Sequence, residues 1–164
     1  YGIEKFAKDI SGTIDAIICV DLPSDVVEEK QLNDALKKEN IALIKLITPT
    51  TSEERIKDIV KTADGFIYSV NVEGQTGVKS ADIVKVNSQI EKIKKYTKIP
   101  VVSGFGIKNE EDVKVFSDSK ADGIVLGSSI VKEIQRKINE TSDKHIIANF
   151  IKDYCKKLIK NLNK

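Results

Sequence analysis

Two short glycine-bearing turns carry the clearest chemical signal in this chain. Gly104-Phe105-Gly106-Ile107 follows the apolar run Pro100-Val101-Val102-Ser103, and Gly127-Ser128-Ser129-Ile130 follows Gly123-Ile124-Val125-Leu126. Each couples a buried-strand signal to a small-residue loop that opens a helix. The first N–H groups of a helix have no partner within it and form the positive end of its dipole. They bind anions, and residues without bulk let a phosphate approach them. In a parallel βα barrel, the loops after the last two strands are where a substrate phosphate sits. Gly104-x-Gly106 is not a dinucleotide fingerprint, because Asn109 stands where a third glycine is required. Paired with Gly127-Ser128 one βα unit later, it predicts a phosphate site; two tight turns that only pack helices closely is the competing reading. A third loop, Asn71-Val72-Glu73-Gly74-Gln75-Thr76-Gly77, follows the run Gly65 to Val70. Its spaced glycines suit a mobile flap, or else an ordinary flexible connection.

The elements that must hold these loops alternate along the chain. Short apolar runs at Ala16–Val20, Ile41–Ile47, Gly65–Val70, Pro100–Ser103 and Gly123–Leu126 are too short for helices and read as strands buried on both faces. Strands are expected at 16–20, 42–47, 66–70, 100–103 and 122–126, spaced as βαβ units are. Between them the period is helical. Ile56, Ile59, Val60 and Ala63 share one face, and Thr51 with Glu54 makes a capping-box pattern. Ile83, Val86, Ile90 and Ile93 mark a second helix with Ser80 as candidate N-cap. Asn109 opens a third, followed by Glu110, Glu111 and Asp112 where the dipole favours acids. Ile147, Phe150, Ile151, Tyr154 and Leu158 line the last, with Lys152, Lys156, Lys157 and Lys160 on its solvated side. The serial βα units leave two architectures open, a doubly wound sheet or part of a (β/α)8 barrel.

Composition excludes several function classes. The chain has 164 residues, 32% charged and 40% hydrophobic, and a net charge of +2. Its length fits a single domain over residues 1–164. Arg55 and Arg136 are the only arginines, and the charge balance leaves no footprint for nucleic acid. No apolar run approaches the roughly 18 residues that span a bilayer, and no signal-peptide pattern opens the chain. Cys19 and Cys155 fit no metal or redox spacing and read as reduced thiols of a cytoplasmic protein. His145 is the only histidine, which argues against a triad or a multi-histidine metal site; it reads as a polar helix residue. The absence of methionine and the abrupt start at Tyr1 read as part of a longer protein, so a barrel lacking its first units is favoured over a complete small domain.

The chain resembles the tryptophan synthase alpha chain family. The matching stretches are Val20-Asp21-Leu22-Pro23, Pro49-Thr50-Thr51-Ser52 with Arg55, Gly65-Phe66-Ile67-Tyr68, Gly74-Gln75-Thr76-Gly77, Gly104-Phe105-Gly106-Ile107 and Gly127-Ser128-Ser129-Ile130-Val131-Lys132. They keep that family's order and spacing from end to end. The resemblance implies an α/β fold, a (β/α)8 TIM barrel of which the last five βα units are present. It implies retro-aldol cleavage of indole-3-glycerol phosphate to indole and glyceraldehyde 3-phosphate, with no metal or organic cofactor, and a tryptophan synthase beta chain as partner in an alpha2beta2 complex. Carried over, Gly77, Gly106, Gly127 and Ser128 would hold the phosphate, and Ile18, Tyr68 and Phe105 would line the pocket. Gly74 and Thr76 would belong to the closing flap. In that flap, Glu73 stands where the family usually has a small hydroxyl residue, and Val72 where some members carry arginine.

Cleaving a carbon–carbon bond to indole requires one proton delivered to the ring and one removed elsewhere, tasks suited to carboxyl groups of tuned pKa. The resemblance puts these on a glutamate and an aspartate upstream of Tyr1. Asp21 matches a different position and reads as a residue ordering the turn before Leu22-Pro23. The chain alone is thus expected to be inactive. The alternatives are another phosphate-binding barrel, an isomerase or prenyltransferase, and a non-catalytic half-barrel binding module.

Overall fold

The computed structural model describes residues 1–70, 80–104, 107, 109–160 and 162. Apolar runs and amphipathic segments alternate in them as α1 (Ile3–Ile10), β1 (Ala16–Ile18), α2 (Val27–Lys38), β2 (Ala42–Ile47), α3 (Glu53–Thr62), β3 (Ile67–Val70), α4 (Ser80–Lys94), β4 (Val101–Gly104), α5 (Glu110–Ser117), β5 (Gly123–Ile124), α6 (Ser128–Glu140) and α7 (Lys144–Lys160). All the strand pairings are parallel, and the five strands lie in the sheet in chain order, β1-β2-β3-β4-β5. A doubly wound sheet reverses its strand order at a switch point. Here each strand lies beside its predecessor, the winding of a barrel wall.

Side chains alternate across the sheet, so the register sorts them into two faces. Leu43, Ile47, Ile67 and Val101 point to the helices and are buried. The larger cluster joins Ile47, Ile67 and Val101 to Ile56 and Ile59 of α3, Val86, Ile90 and Ile93 of α4, and Val113 and Phe116 of α5. A smaller one joins Leu43 and Ile41 to Ala7 of α1 and Leu32, Ala35 and Leu36 of α2. Each fully buried Ile or Leu contributes about 1.5–3 kcal/mol relative to exposure. The opposite face, with Leu46, Tyr68, Val70 and Val102, is only half covered.

Local signals explain most boundaries. Ser52 caps α3, its Oγ accepting from the Arg55 N–H at 3.3 Å. The N-cap is therefore one residue later than expected, and with Arg55 at N3 no capping box forms, because Thr51 Oγ1 accepts from the Thr48 N–H at 3.1 Å and closes the preceding turn instead. Asn109 caps α5 as expected, accepting from the Asp112 N–H at 2.9 Å. Helix α4 begins at Ser80. Gln89 of α4 donates to the Thr48 carbonyl at 2.9 Å, fastening that helix over the end of β2. Asp122 accepts from the Val101 N–H at 2.8 Å and from Lys94 at 2.8 Å, which aligns the starts of β4 and β5.

Three strands are shorter than expected. β1 stops at Ile18, where the chain turns toward Leu22-Pro23; β5 spans Gly123–Ile124, and β3 begins at Ile67. β4 runs one residue beyond its expected end, to Gly104. Helix α2, which the apolar period does not announce, buries Glu29 and Asn33 beside Leu32, Ala35 and Leu36. Glu29 pairs there with Lys45 of β2, and both are buried.

Candidate substrate and phosphate site

The half-covered face of the sheet meets the helix starts at the carboxyl ends of the strands. Leu46 lies opposite Tyr68, Tyr68 opposite Val102, and Val102 opposite Gly123. Ile18 lies opposite Ile44, so Ile18 and Tyr68 stand on one face of β1 and β3, with β2 between them. Ile18 is 43% exposed. The strand positions of this face, Ile18, Ile44, Leu46, Tyr68, Val70 and Val102, carry no carboxylate, histidine or amine. It is a surface for an apolar or aromatic group.

Tyr68 is held by its neighbour across β4. A methyl group built on Gly104 would sit 2.6 Å from Tyr68 Oη, 2.8 Å from Tyr68 Cε2 and 2.7 Å from Val125 Cβ. The ring occupies the space that any side chain at Gly104 would need. Burial pushes the Tyr68 phenol above its ordinary value near 10, so it stays protonated through neutral pH. It can orient a substrate by packing and by one hydroxyl hydrogen bond; it is a poor proton shuttle.

The start of α6 lies one strand further. Gly127 is its N-cap and supplies no side-chain cap, and the first turn holds no acidic residue. By contrast α3 and α5 are capped by Ser52 and Asn109 and have acids in their first turns. Among the described residues no side chain caps the N–H groups around Ser128, and no first-turn acid opposes the positive end of the helix dipole. Gly127 has φ −119, which any residue can adopt. A methyl group built on it meets nothing within 4 Å. Neither a positive φ nor a packed neighbour accounts for glycine there. Ser128, the first residue of α6, is exposed.

The structure therefore places Ile18, Tyr68, Gly127 and Ser128 at the carboxyl end of the sheet. Gly74, Thr76, Gly77, Phe105 and Gly106 lie outside the described residues. Beside Ile18 is a cleft of about 290 Å³ lined by Cys19, Leu22, Thr48, Thr50, Thr51 and Val70, among others. The threonine hydroxyls there are joined, Thr48 to Thr50 at 2.9 Å and Thr48 to Thr51 at 3.1 Å. Sequence reading passed over this polar rim because hydroxyl residues after Pro49 look like an ordinary turn. Among the described residues there is no group of three or more His, Cys, Asp or Glu that could hold a metal ion. Cys19 and Cys155 are free thiols, and among the described residues no helix is long and apolar enough to cross a membrane.

Comparisons with known proteins agree with this geometry. A family model described as "Tryptophan synthase alpha chain" matches residues 1–160. The curated tryptophan synthase alpha chain of Phenylobacterium zucineum is 40% identical over 144 residues, 87% of this chain and 51% of that protein. Among solved structures, the tryptophan synthase subunit alpha of Campylobacter jejuni superposes with a TM-score of 0.76 at 37% identity, covering 94% of this chain and 59% of its own. The alpha chain of Legionella pneumophila does so with a TM-score of 0.82 at 26% identity, covering 99% and 58%. The chain spans about half the length of the curated relative it matches. With the sequential parallel sheet, the Tyr68 face and a family match running almost from end to end, this chain belongs to the tryptophan synthase alpha chain family.

Proposed function

We propose that this chain is the substrate-holding part of an indole-3-glycerol-phosphate lyase of tryptophan biosynthesis. In this reading residues 1–164 are one domain, the fourth to eighth βα units of a (β/α)8 barrel, working in the cytoplasm. The observation that carries it is the uncapped, acid-free start of α6 at the same end of the sheet as Tyr68 and Ile18. The helix end, with Gly127, Ser128, Gly106 and Gly77, takes the phosphate. Tyr68, Phe105 and Ile18 hold the indole, and the loop with Gly74 and Thr76 closes over it. A beta chain of tryptophan synthase is the partner that receives the indole.

In the reaction a proton is added to the indole ring carbon that bears the side chain. The bond from that carbon to the glycerol chain then breaks, and the adjoining hydroxyl loses its proton to become the aldehyde of glyceraldehyde 3-phosphate. No cofactor is needed to balance this step. The residues of the Tyr68 face offer no acid or base for it; the family resemblance assigns both proton transfers to two carboxylates upstream of Tyr1. Tyr68 orients the ring. In the protein extended upstream, Tyr68→Phe should retain turnover within about tenfold, since the ring stays and one hydroxyl is lost. Replacing either upstream carboxylate should cost ~10²-fold or more. A loss in Tyr68→Phe as large as at the carboxylates would assign the phenol to the chemistry.

The direct test is release of indole from indole-3-glycerol phosphate. Residues 1–164 should give none above background, and the protein extended upstream should turn over. Turnover by residues 1–164 alone would place the acid and base inside this chain.

A further inference from the structure

The helix-facing row of β2 reads Leu43, Lys45, Ile47, and all three are buried. Leu43 belongs to the smaller apolar cluster with α1 and α2; Ile47 belongs to the larger cluster with α3, α4 and α5. Lys45, 3% exposed, stands between them and pairs with Glu29 of α2. No residue of 3–38 is a member of the larger cluster, either as a buried residue or as one packed against it. The two apolar clusters thus meet at a buried charge pair. Outside that pair, an open groove of about 400 Å³ runs between α2 and α3, lined by Asn33 and Asp34 on one side and Asp58 and Thr62 on the other. The Asn33 Oδ1 at its edge is buried without a hydrogen-bond partner.

These features make one seam. A buried ion pair gains little net stability, because the attraction is offset by lost hydration of both groups. Parting the chain at Lys45–Glu29 returns water to both charges and to Asn33. It breaks the β1–β2 ladder, the smaller cluster and the exposed Arg55–Asp25 pair that crosses the groove, at 3.2 Å. We propose that α1, β1 and α2 form a cooperative unit that opens from the sheet along this seam while β2 to β5 stay folded. The unit carries Ile18 and the Leu22-Pro23 turn, whereas Tyr68, Gly104 and the start of α6 lie outside it. Opening therefore removes one wall of the candidate pocket and leaves the rest intact. The inference does not depend on which substrate the pocket takes.

Hydrogen exchange of residues 1–164, followed by mass spectrometry, tests this. Amides of 17–18 and 30–38 should exchange together, at least tenfold faster than those of 67–70, 86–94 and 101–104. Lys45→Met leaves Glu29 buried without its partner and should speed exchange in the first set alone. The pair Lys45→Met with Glu29→Leu makes the seam apolar and should slow the first set at least tenfold, with the second set unchanged. Equal rates and equal denaturant dependence in the two sets of the unsubstituted chain would overturn the proposal, whatever the variants do. So would variants that shift both sets equally.

Discussion

Gly104→Val is expected to destabilise the protein by about 1–3 kcal/mol, the usual cost of overpacking, and to abolish tight substrate binding along with it. The cause is local. The first carbon of the new side chain would fall 2.6 Å from Tyr68 Oη and 2.7 Å from Val125 Cβ, well inside contact distance. Two strands cannot separate to accommodate it, because β4 is hydrogen-bonded on both sides, to β3 and β5. The Tyr68 ring must swing instead, and it swings off the face on which a substrate would lie. The smaller change Gly104→Ala separates the two effects. Combined with Tyr68→Ala it should cost less than the sum of the single changes, with a coupling of about 0.5–3 kcal/mol, since one side chain then makes room for the other. Urea midpoints of the four proteins measure this directly. Strictly additive costs would mean that Tyr68 is not held by the glycine.

Gly127→Asp should separate stability from binding in opposite directions. An aspartate at the N-cap can accept from the first-turn N–H groups of α6, and caps of this kind are worth up to about 1 kcal/mol over residues without one, a few tenths over glycine. The site is open, with nothing within 4 Å of the added carbon, so the change carries no steric penalty. The carboxylate then occupies the helix end that the phosphate needs and repels it. Affinity for glycerol 3-phosphate, titrated calorimetrically in the protein extended upstream, should fall by about tenfold or more, on the scale of one charged contact. The thermal midpoint should hold or rise. Unchanged affinity would remove the phosphate from α6, and a lowered midpoint would mean that Gly127 is there for the fold.

The sequence shows its strands more clearly than its core. Ile41–Ile47 and Pro100–Ser103 are legible because strands buried on both faces are apolar throughout, and β2 matches its expected bounds of 42–47. The short β1 and β5 were less legible. Apolar residues such as Val20, 72% exposed, continue past the last ladder hydrogen bond, and composition cannot mark where pairing stops. A helix is expected between β1 and β2, but the inward face of α2 was not legible, because part of it is Glu29 and Asn33, which look like solvent positions until Lys45 is placed opposite. That pairing couples residues distant in the chain, and no local period reports it. At the site, Gly127-Ser128 was legible as a loop that opens a helix, and the structure shows that this helix start has no side-chain cap. The role of Gly104 was not legible, because its reason is a ring on another strand.

The strict chain order of the sheet has a consequence for how the protein is made. Each strand after the first pairs with the one immediately before it, so its partner has already left the ribosome when it emerges. The loop to be closed at each step is a single helix and its connections, and the entropy of closure grows only with the logarithm of that length. Among β1 to β5 no strand has to wait for a distant partner. Synthesis from the N-terminus and assembly of this wall can therefore advance in step, one hairpin-free unit at a time.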